Sequence, residues 1–398
     1  MVSLQYYKKI EKLTFLVLIL FVFSLSWESV FAIPFLGAIS SLFGGFLFFI
    51  AIFYLLFRDY IYKPSPLFVL VAIFFIWGSI SLVWSTNQVV TLNRIFTNLQ
   101  LFIMCFLMFQ LINNSKNITI LFQSYILGGY IVFIGVLYNF LSGNSFTQTV
   151  ERFVIGTIDP NELCLTVILG VPLSSYLLSY INSRFMNILN RFYPLFATLI
   201  VFFTGSRTGL VLLFISLIYV FFLSETSKKF KIIKVSCILV ILLIIFTVLK
   251  DSIILSLPNM QRFFMIEQEI NSGQFGNREY IWKGGIDLFL KNPMLGIGVG
   301  TFSFEIKDYI GEMKVAHNTF LSILVEQGII GFSIYLSIFL GIFISSTKLL
   351  KENMFLVWVI TIIILMGTFT LTFEHRKILW VTILFLIVFI KVKRSDIG

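Results

Sequence analysis

Charge is scarce in this chain. Asp, Glu, Lys and Arg make up 12% of its 398 residues, about half the share a soluble globular chain carries. It has two histidines and three cysteines. His317 and His375, with no paired acidic motif beside them, leave nothing from which to assemble a metal cluster, and no cofactor is expected. Cys105, Cys164 and Cys237 all fall inside apolar runs, so they read as free thiols in apolar packing. They form neither a disulfide framework nor a zinc pattern. The formal net charge of +10 is mostly a topology signal, with some attraction to anionic lipid; it is no evidence for nucleic-acid binding.

Apolar sequence takes the place of charge. Hydrophobic residues make up 58% of the chain, with 48 phenylalanines, and the mean hydropathy is +0.98. A bilayer core of roughly 30 Å needs about 20 apolar helical residues to cross it. Runs of that length recur at 14–32, 35–57, 67–84, 95–112, 118–141, 162–181, 188–204, 208–224, 232–249, 322–346, 354–372 and 378–392. They lack the alternating pattern of a membrane β-barrel. The first shows no small-residue cleavage site of a signal peptide. The expected fold is all-α: a polytopic transmembrane helical bundle of about twelve spans.

Basic residues give the orientation. Lys8, Lys9, Lys12, Arg58, Lys63, Lys116, Arg184 and Arg191 fall on one side, as do Lys228, Lys229, Lys231, Lys234, Lys348, Lys351, Lys391, Lys393 and Arg394. The short loops of the other side hold only Arg94, Arg152, Arg207, Arg376 and Lys377. Positive residues mark the cytoplasmic side, so both termini are expected there. The chain then divides into helices over 1–249, an outer loop over 250–317, and helices with a cytoplasmic tail over 318–398.

The outer side collects the polar residues. Within its long loop, Pro258–Gln274 and Asn277–Lys291 have the spacing of short amphipathic helices, the second stopped by Asn292-Pro293. The glycines of Gly296-Ile297-Gly298-Val299-Gly300 have neither a preceding strand nor a following Lys-Ser/Thr, so a nucleotide loop is disfavoured. Thr204-Gly205-Ser206-Arg207-Thr208-Gly209 joins two apolar runs and sets Arg207 at the membrane boundary. Arg207 there either snorkels to water or offers its planar fork to a phosphate. His317 precedes a run from Asn318 to Ser346 that would reach roughly 43 Å as one helix, so that run overhangs the bilayer or breaks near Gly328 and Gly331. His317 is either a cap for this helix or a general base. Asp159-Pro160-Asn161-Glu162 reads as a helix cap, and Glu374-His375-Arg376-Lys377 as an outer anchor.

Four pieces, in order, resemble the O-antigen ligase and O-antigen (repeat-unit) polymerase family of bacterial membrane glycosyltransferases. They are Trp84-Ser85, Gly156 through Asn161, Thr204 through Gly209, and Arg278 through Gly331. The last contains Asn277-Arg278-Glu279-Tyr280-Ile281-Trp282, Ala316-His317-Asn318-Thr319-Phe320 and Glu326-Gln327-Gly328. The resemblance implies a GT-C-like fold in the bacterial cytoplasmic membrane. It also implies a donor oligosaccharide carried on undecaprenyl pyrophosphate and metal-independent transfer. By position, Arg207 and Arg278 would hold the pyrophosphate and His317 would deprotonate the acceptor hydroxyl. Arg94, Arg152, Ser206 and Asn318 are supporting candidates. Chains this rich in Phe, Ile and Leu resemble the family's polymerases, with a ligase the alternative and a lipid-linked glycan flippase a more distant one. Membrane lipids, a flippase and a chain-length regulator are the partners such an activity implies.

Overall fold

The apolar runs fold as helices because lipid leaves the backbone no hydrogen-bond partner but itself. A computed structural model describes residues 2–28, 30, 32–33, 37–146, 152–223 and 278–396. The expected span 232–249, Cys237 and the helix Pro258–Gln274 lie outside those residues.

The first half runs through α1 (Val2–Leu25), a two-residue antiparallel pairing of Ala32–Ile33 with Gly37–Ala38, α2 (Ile39–Leu56), α3 (Pro66–Ile80), α4 (Gln88–Leu111) and α5 (Ser115–Leu141). Then come α6 (Pro160–Leu177), α7 (Arg184–Thr204) and α8 (Arg207–Ile218), which continues as a π-helical turn to Leu223. The last part holds α9 (Arg278–Lys291), the short α10 (Phe302–Glu305) and α11 (Lys307–Ile310), α12 (Thr319–Ser346), α13 (Lys351–Thr368) and α14 (Lys377–Ser395). Among the described residues, seven helices are long and apolar enough to cross a membrane: Ile39–Leu56, Pro66–Val83, Gln88–Leu111, Ser115–Leu141, Arg184–Thr204, Thr319–Ser346 and Lys351–Thr368. This is a multi-pass membrane protein.

Two helices form the centre. Every residue of α6 but Asn161 is buried, and α14 is buried without interruption from Ile378 to Ile390. A helix apolar on all sides needs other helices on all sides. Accordingly α5, α7, α8 and α13 surround α6, while α3, α4, α5, α12 and α13 touch α14. Tyr193 of α7 sits between Gly129 and Gly170, where a Cβ would come within 2.3 Å and 2.5 Å of its hydroxyl, and that hydroxyl donates to Val167 O at 3.0 Å. Small residues permit such close helix approach in membranes.

The long run from Asn318 breaks at Gly328, whose φ of 65° and ψ of −173° no other residue adopts without strain. The break exposes backbone that must be satisfied inside the protein. The glycine-rich segment does this: Ile297 N donates to Val325 O at 3.0 Å, Gly298 N to Glu326 O at 2.9 Å, and Ile329 N to Pro293 O at 2.9 Å. Trp77 Nε1 donates to Gln327 O at 3.0 Å. The buried Glu326 carboxylate accepts from Gly300 N at 2.7 Å and Phe302 N at 3.1 Å. A Cβ on Gly298 would lie 2.4 Å from Ser85 Oγ. These glycines therefore serve close packing against the α3–α4 turn and the broken helix, where the sequence had left a phosphate cradle as a disfavoured reading.

The threading leaves the ends unequal. The turns after α3, α7 and α13 meet at one end, tied by bonds such as Trp84 Nε1 to Leu295 O at 3.1 Å and Thr208 Oγ1 to Thr370 Oγ1 at 3.1 Å. At the other end Tyr7 on α1 donates to Tyr54 at 3.1 Å, and Ser115 donates to Asp396 at 2.6 Å. The first turns of α1 and the last turn of α14 thus lie at the end opposite the α7–α8 turn.

Candidate active site

The α7–α8 hairpin is built on a single tight turn. Gly205 takes the left-handed conformation, φ 58°, that ends α7, and Ser206 caps α8 by accepting from Gly209 N at 3.0 Å. The Ser206 hydroxyl donates in turn to Asn161 Oδ1 at 2.7 Å. Asn161 is itself fixed because Asp159 caps α6, accepting from Asn161 N at 2.8 Å and Glu162 N at 3.3 Å. Arg207 is therefore the first residue of α8, on a turn clamped to the start of α6. Arg152 Nε donates to Thr204 O at 2.8 Å, a favourable place for a cation at the C-terminal end of α7.

The second wall is α9. Its Gly284 and Gly285 face Ile306, Tyr309, Leu321 and Phe302, which seats the helix against α10, α11 and α12. Tyr280, Lys283 and Asp287 stay exposed on the other face. Arg278 opens the helix and reaches Thr370 O at 3.4 Å. Burial pulls its guanidinium below the ordinary arginine value, with Asp159 opposing that shift.

The third wall ends in His317, the only non-glycine residue with positive φ among those described, at 48°. Its neighbours impose the conformation. Ala316 is fully buried and its carbonyl accepts from Trp282 Nε1 at 3.0 Å, while Asn318 caps α12 by accepting from Leu321 N at 3.1 Å. Left-handed backbone at a side chain with a Cβ costs roughly 1–2 kcal/mol, and strain of this kind clusters at functional sites. Burial, the Arg278 cation and Lys314 lower the imidazole pKa from its usual 6.5, while Asp159 raises it. The imidazole is neutral at neutral pH and able to accept a proton.

These walls enclose an open cleft of about 1110 Å³ lined by Arg152, Arg207, Arg278, Lys283, Lys314 and His317, together with Asn161, Thr208, Tyr280, Trp282, Asp287, Tyr309 and Glu312. Glu312 and Lys314 form an exposed ion pair at 3.4 Å. The cleft is thus strongly cationic, suited to an anion of several charges with uncharged polar groups attached.

Arg207, Arg278, His317 and Arg152 all reach this cleft. Ser206 is buried behind the turn and Asn318 is buried as a cap, so both hold the walls without lining the space. Arg94 lies elsewhere, against Gly300, where a Cβ would come within 2.8 Å of it. There it acts electrostatically on His375, which burial first, then Arg94 and Arg376, push down to about 3. The turn holding His375 is an anchor: Arg376 pairs with Glu162 at 2.8 Å, Lys377 with Glu28 at 2.9 Å, and Glu374 accepts from Ser322 Oγ at 2.7 Å. The sequence reading missed Lys283, Lys314 and Asn161 as lining residues. Tyr280, Lys283 and Asp287, at i, i+3 and i+7, were the available sign of a polar helix face.

Such a molecule is a multi-pass membrane protein with a cationic cleft at one end of its bundle. Residues 192–336 match the family model described as O-antigen ligase. The match supports the O-antigen ligase/polymerase family resemblance carried by the motifs, and with it a membrane function of the O-antigen ligase/polymerase type. It covers Arg207, Arg278 and His317 together. No curated protein matches the chain.

Proposed function

We propose that the cleft transfers a glycan from a lipid-linked pyrophosphate donor to a sugar hydroxyl, with undecaprenyl pyrophosphate as the carrier. The observation that carries this reading is the convergence of Arg207, Arg278 and His317, from three separate segments, on one open cleft. In the transfer, the acceptor oxygen attacks the anomeric carbon of the donor sugar and the bond from that carbon to the phosphate oxygen breaks. His317 takes the acceptor proton, and the lipid pyrophosphate leaves with the bonding electron pair. Arg207 and Arg278 hold the leaving group, whose growing charge is best stabilised by fixed cations already in position. Two guanidinium forks bind phosphate oxygens in pairs. Donor binding offsets the Arg278 charge beside His317, which raises the imidazole's affinity for a proton when the acceptor must lose one. Because cations carry the leaving-group charge, the reaction proceeds without a metal ion; by analogy with the family the chain resembles, a single displacement inverts the anomeric centre.

Around this site the chain forms a GT-C-like bundle of about twelve spans in the bacterial cytoplasmic membrane. Residues 1–249 and 318–398 form its helical parts, 250–317 its outer loop, and both termini are cytoplasmic. The preferred activity is repeat-unit polymerisation alongside a flippase and a chain-length regulator, with ligation to a different acceptor the second reading. The test is transfer by detergent-purified protein given only a lipid-linked oligosaccharide. Products extended by whole repeats on the lipid support a polymerase. Transfer only when a different glycolipid acceptor is added supports a ligase. No transfer with either, while donor binds, counts against both.

A further inference from the structure

A second cationic site lies at the opposite end of the bundle, outside the cleft and outside the matched family region. Arg58 follows α2 and is 7% exposed. Its Nη1 donates to Gln110 O at 2.9 Å, while Nε and Nη2 are buried without a hydrogen-bond partner. Lys391, near the end of α14, has a buried Nζ that also lacks one. Both cations lie on the same ring: Arg58 Cζ is 4.4 Å and Lys391 Nζ 4.2 Å from the Tyr62 centroid. Arg58 also lies 4.0 Å from Tyr60, and Lys391 4.3 Å from Phe109. Aromatic faces attract cations but do not neutralise them. Among the described residues neither is ion-paired to a carboxylate, and the neighbouring Asp59 is exposed. Two bonds hold the arrangement rigid, Gln110 Oε1 accepting from Tyr62 N and Gln110 Nε2 donating to Tyr62 O, each at 2.9 Å.

An apolar groove of about 460 Å³ adjoins this site. Phe48, Ile52, Leu56, Ile61, Phe106 and Ile103 are among its lining residues, on α2, on α4 and on the segment after α2. Ile61 lies between the two tyrosines that hold Arg58, and Leu56 lies two residues before Arg58. Buried cations with no ion pair among the described residues, beside an apolar groove, match a molecule with an anionic head and a hydrocarbon tail. We infer that Arg58 and Lys391 bind the phosphate headgroup of an anionic phospholipid whose acyl chain lies in the α2–α4 groove. Arg58 supplies two unspent N–H directions and Lys391 a third donor, a set suited to phosphate oxygens. Lys377, at the start of α14, is roughly 21 Å along that helix from Lys391, so this lipid and the cleft occupy opposite faces of the membrane. The basic residues Lys63 and Lys116 near the site add attraction to an anionic leaflet.

The test is native mass spectrometry of the full-length protein in detergent, with phosphatidylglycerol or phosphatidylcholine added, alongside melting temperatures with each lipid and with inorganic phosphate. Phosphatidylglycerol is expected to be retained at least about tenfold better than phosphatidylcholine, whose phosphate accepts the same hydrogen bonds but carries a choline cation that Arg58 and Lys391 repel. The Arg58→Gln/Lys391→Gln double variant is expected to lose that preference. Ile52→Trp, which fills the groove and keeps both cations, is expected to weaken phosphatidylglycerol retention, whereas exposed Lys348→Gln leaves it unchanged. If the double variant does not fold, Lys391→Gln alone and Ile52→Trp decide the matter. Equal retention of the two lipids, or wild-type retention by the cation variants, overturns the site. Stabilisation by inorganic phosphate equal to that by phosphatidylglycerol, with Ile52→Trp silent, overturns the lipid in favour of a small anion.

Discussion

Replacing His317 separates its chemistry from its place in the fold. The cap of α12 is Asn318, whose Oδ1 accepts from Leu321 N at 3.1 Å, so no helix-capping bond is lost with the imidazole. His317→Ala keeps a Cβ at φ 48° and with it the strain of roughly 1–2 kcal/mol. His317→Gly releases that strain, and the greater freedom of glycine in the unfolded chain, about 0.5–1 kcal/mol, offsets about half of the gain. Both variants are expected to melt close to the parent. Both are expected to lose turnover by at least about 10², the lower range for a removed general base, equivalent to about 2.7 kcal/mol of barrier. Donor binding should hold, because Arg207 and Arg278 remain. The assay is single-turnover transfer with a lipid-linked donor beside a separate donor-binding titration. The pH profile adds a sign. The free-enzyme pKa of His317 is lowered, so kcat/KM is expected to stay level as pH falls to the usual histidine value and to drop only below it. Normal transfer by His317→Gly would refute the base. Lost donor binding with intact chemistry at saturation would move His317 into the phosphate clamp.

Arg207→Lys and Arg278→Lys are each expected to lose most activity while the protein still inserts, since lysine keeps the charge but not the two-donor fork; wild-type product from both would return Arg207 to a snorkelling role. Cysteines introduced at Lys314 and Lys63, in a chain freed of Cys105, Cys164 and Cys237, should label in intact cells and only after permeabilisation respectively; the reverse would invert the topology. Gly328→Ala would set a Cβ 2.2 Å from Met294 O at φ 65°, so a loss of more than about 2 kcal/mol is expected in thermal unfolding. An unchanged melting temperature would mean that the helix break can straighten.

Several features were legible in the sequence because they depend on short stretches of chain. Run length fixed the helices: the expected 118–141 and 322–346 became Ser115–Leu141 and Thr319–Ser346. The excess length after Asn318 required an overhang or a break, with Gly328 and Gly331 as the places for one, and the helix breaks at Gly328. Apolar spacing fixed α9, and the motifs named the arginines and the histidine. Run length could not say that α6 and α14 would be central, since an apolar helix looks the same facing lipid or protein. Nor could it say which outer-side cations share a cleft. Arg94 and Arg152 looked equivalent along the chain, yet Arg152 lines the cleft and Arg94 packs on Gly300. The glycine run proved to be packing because its partners, Ser85 and Glu326, come from distant segments. Helix formation follows from local hydrogen bonding and apolar length, which sequence records. Convergence of side chains depends on how helices cross and where their caps hold the turns, and only the tertiary structure decides that.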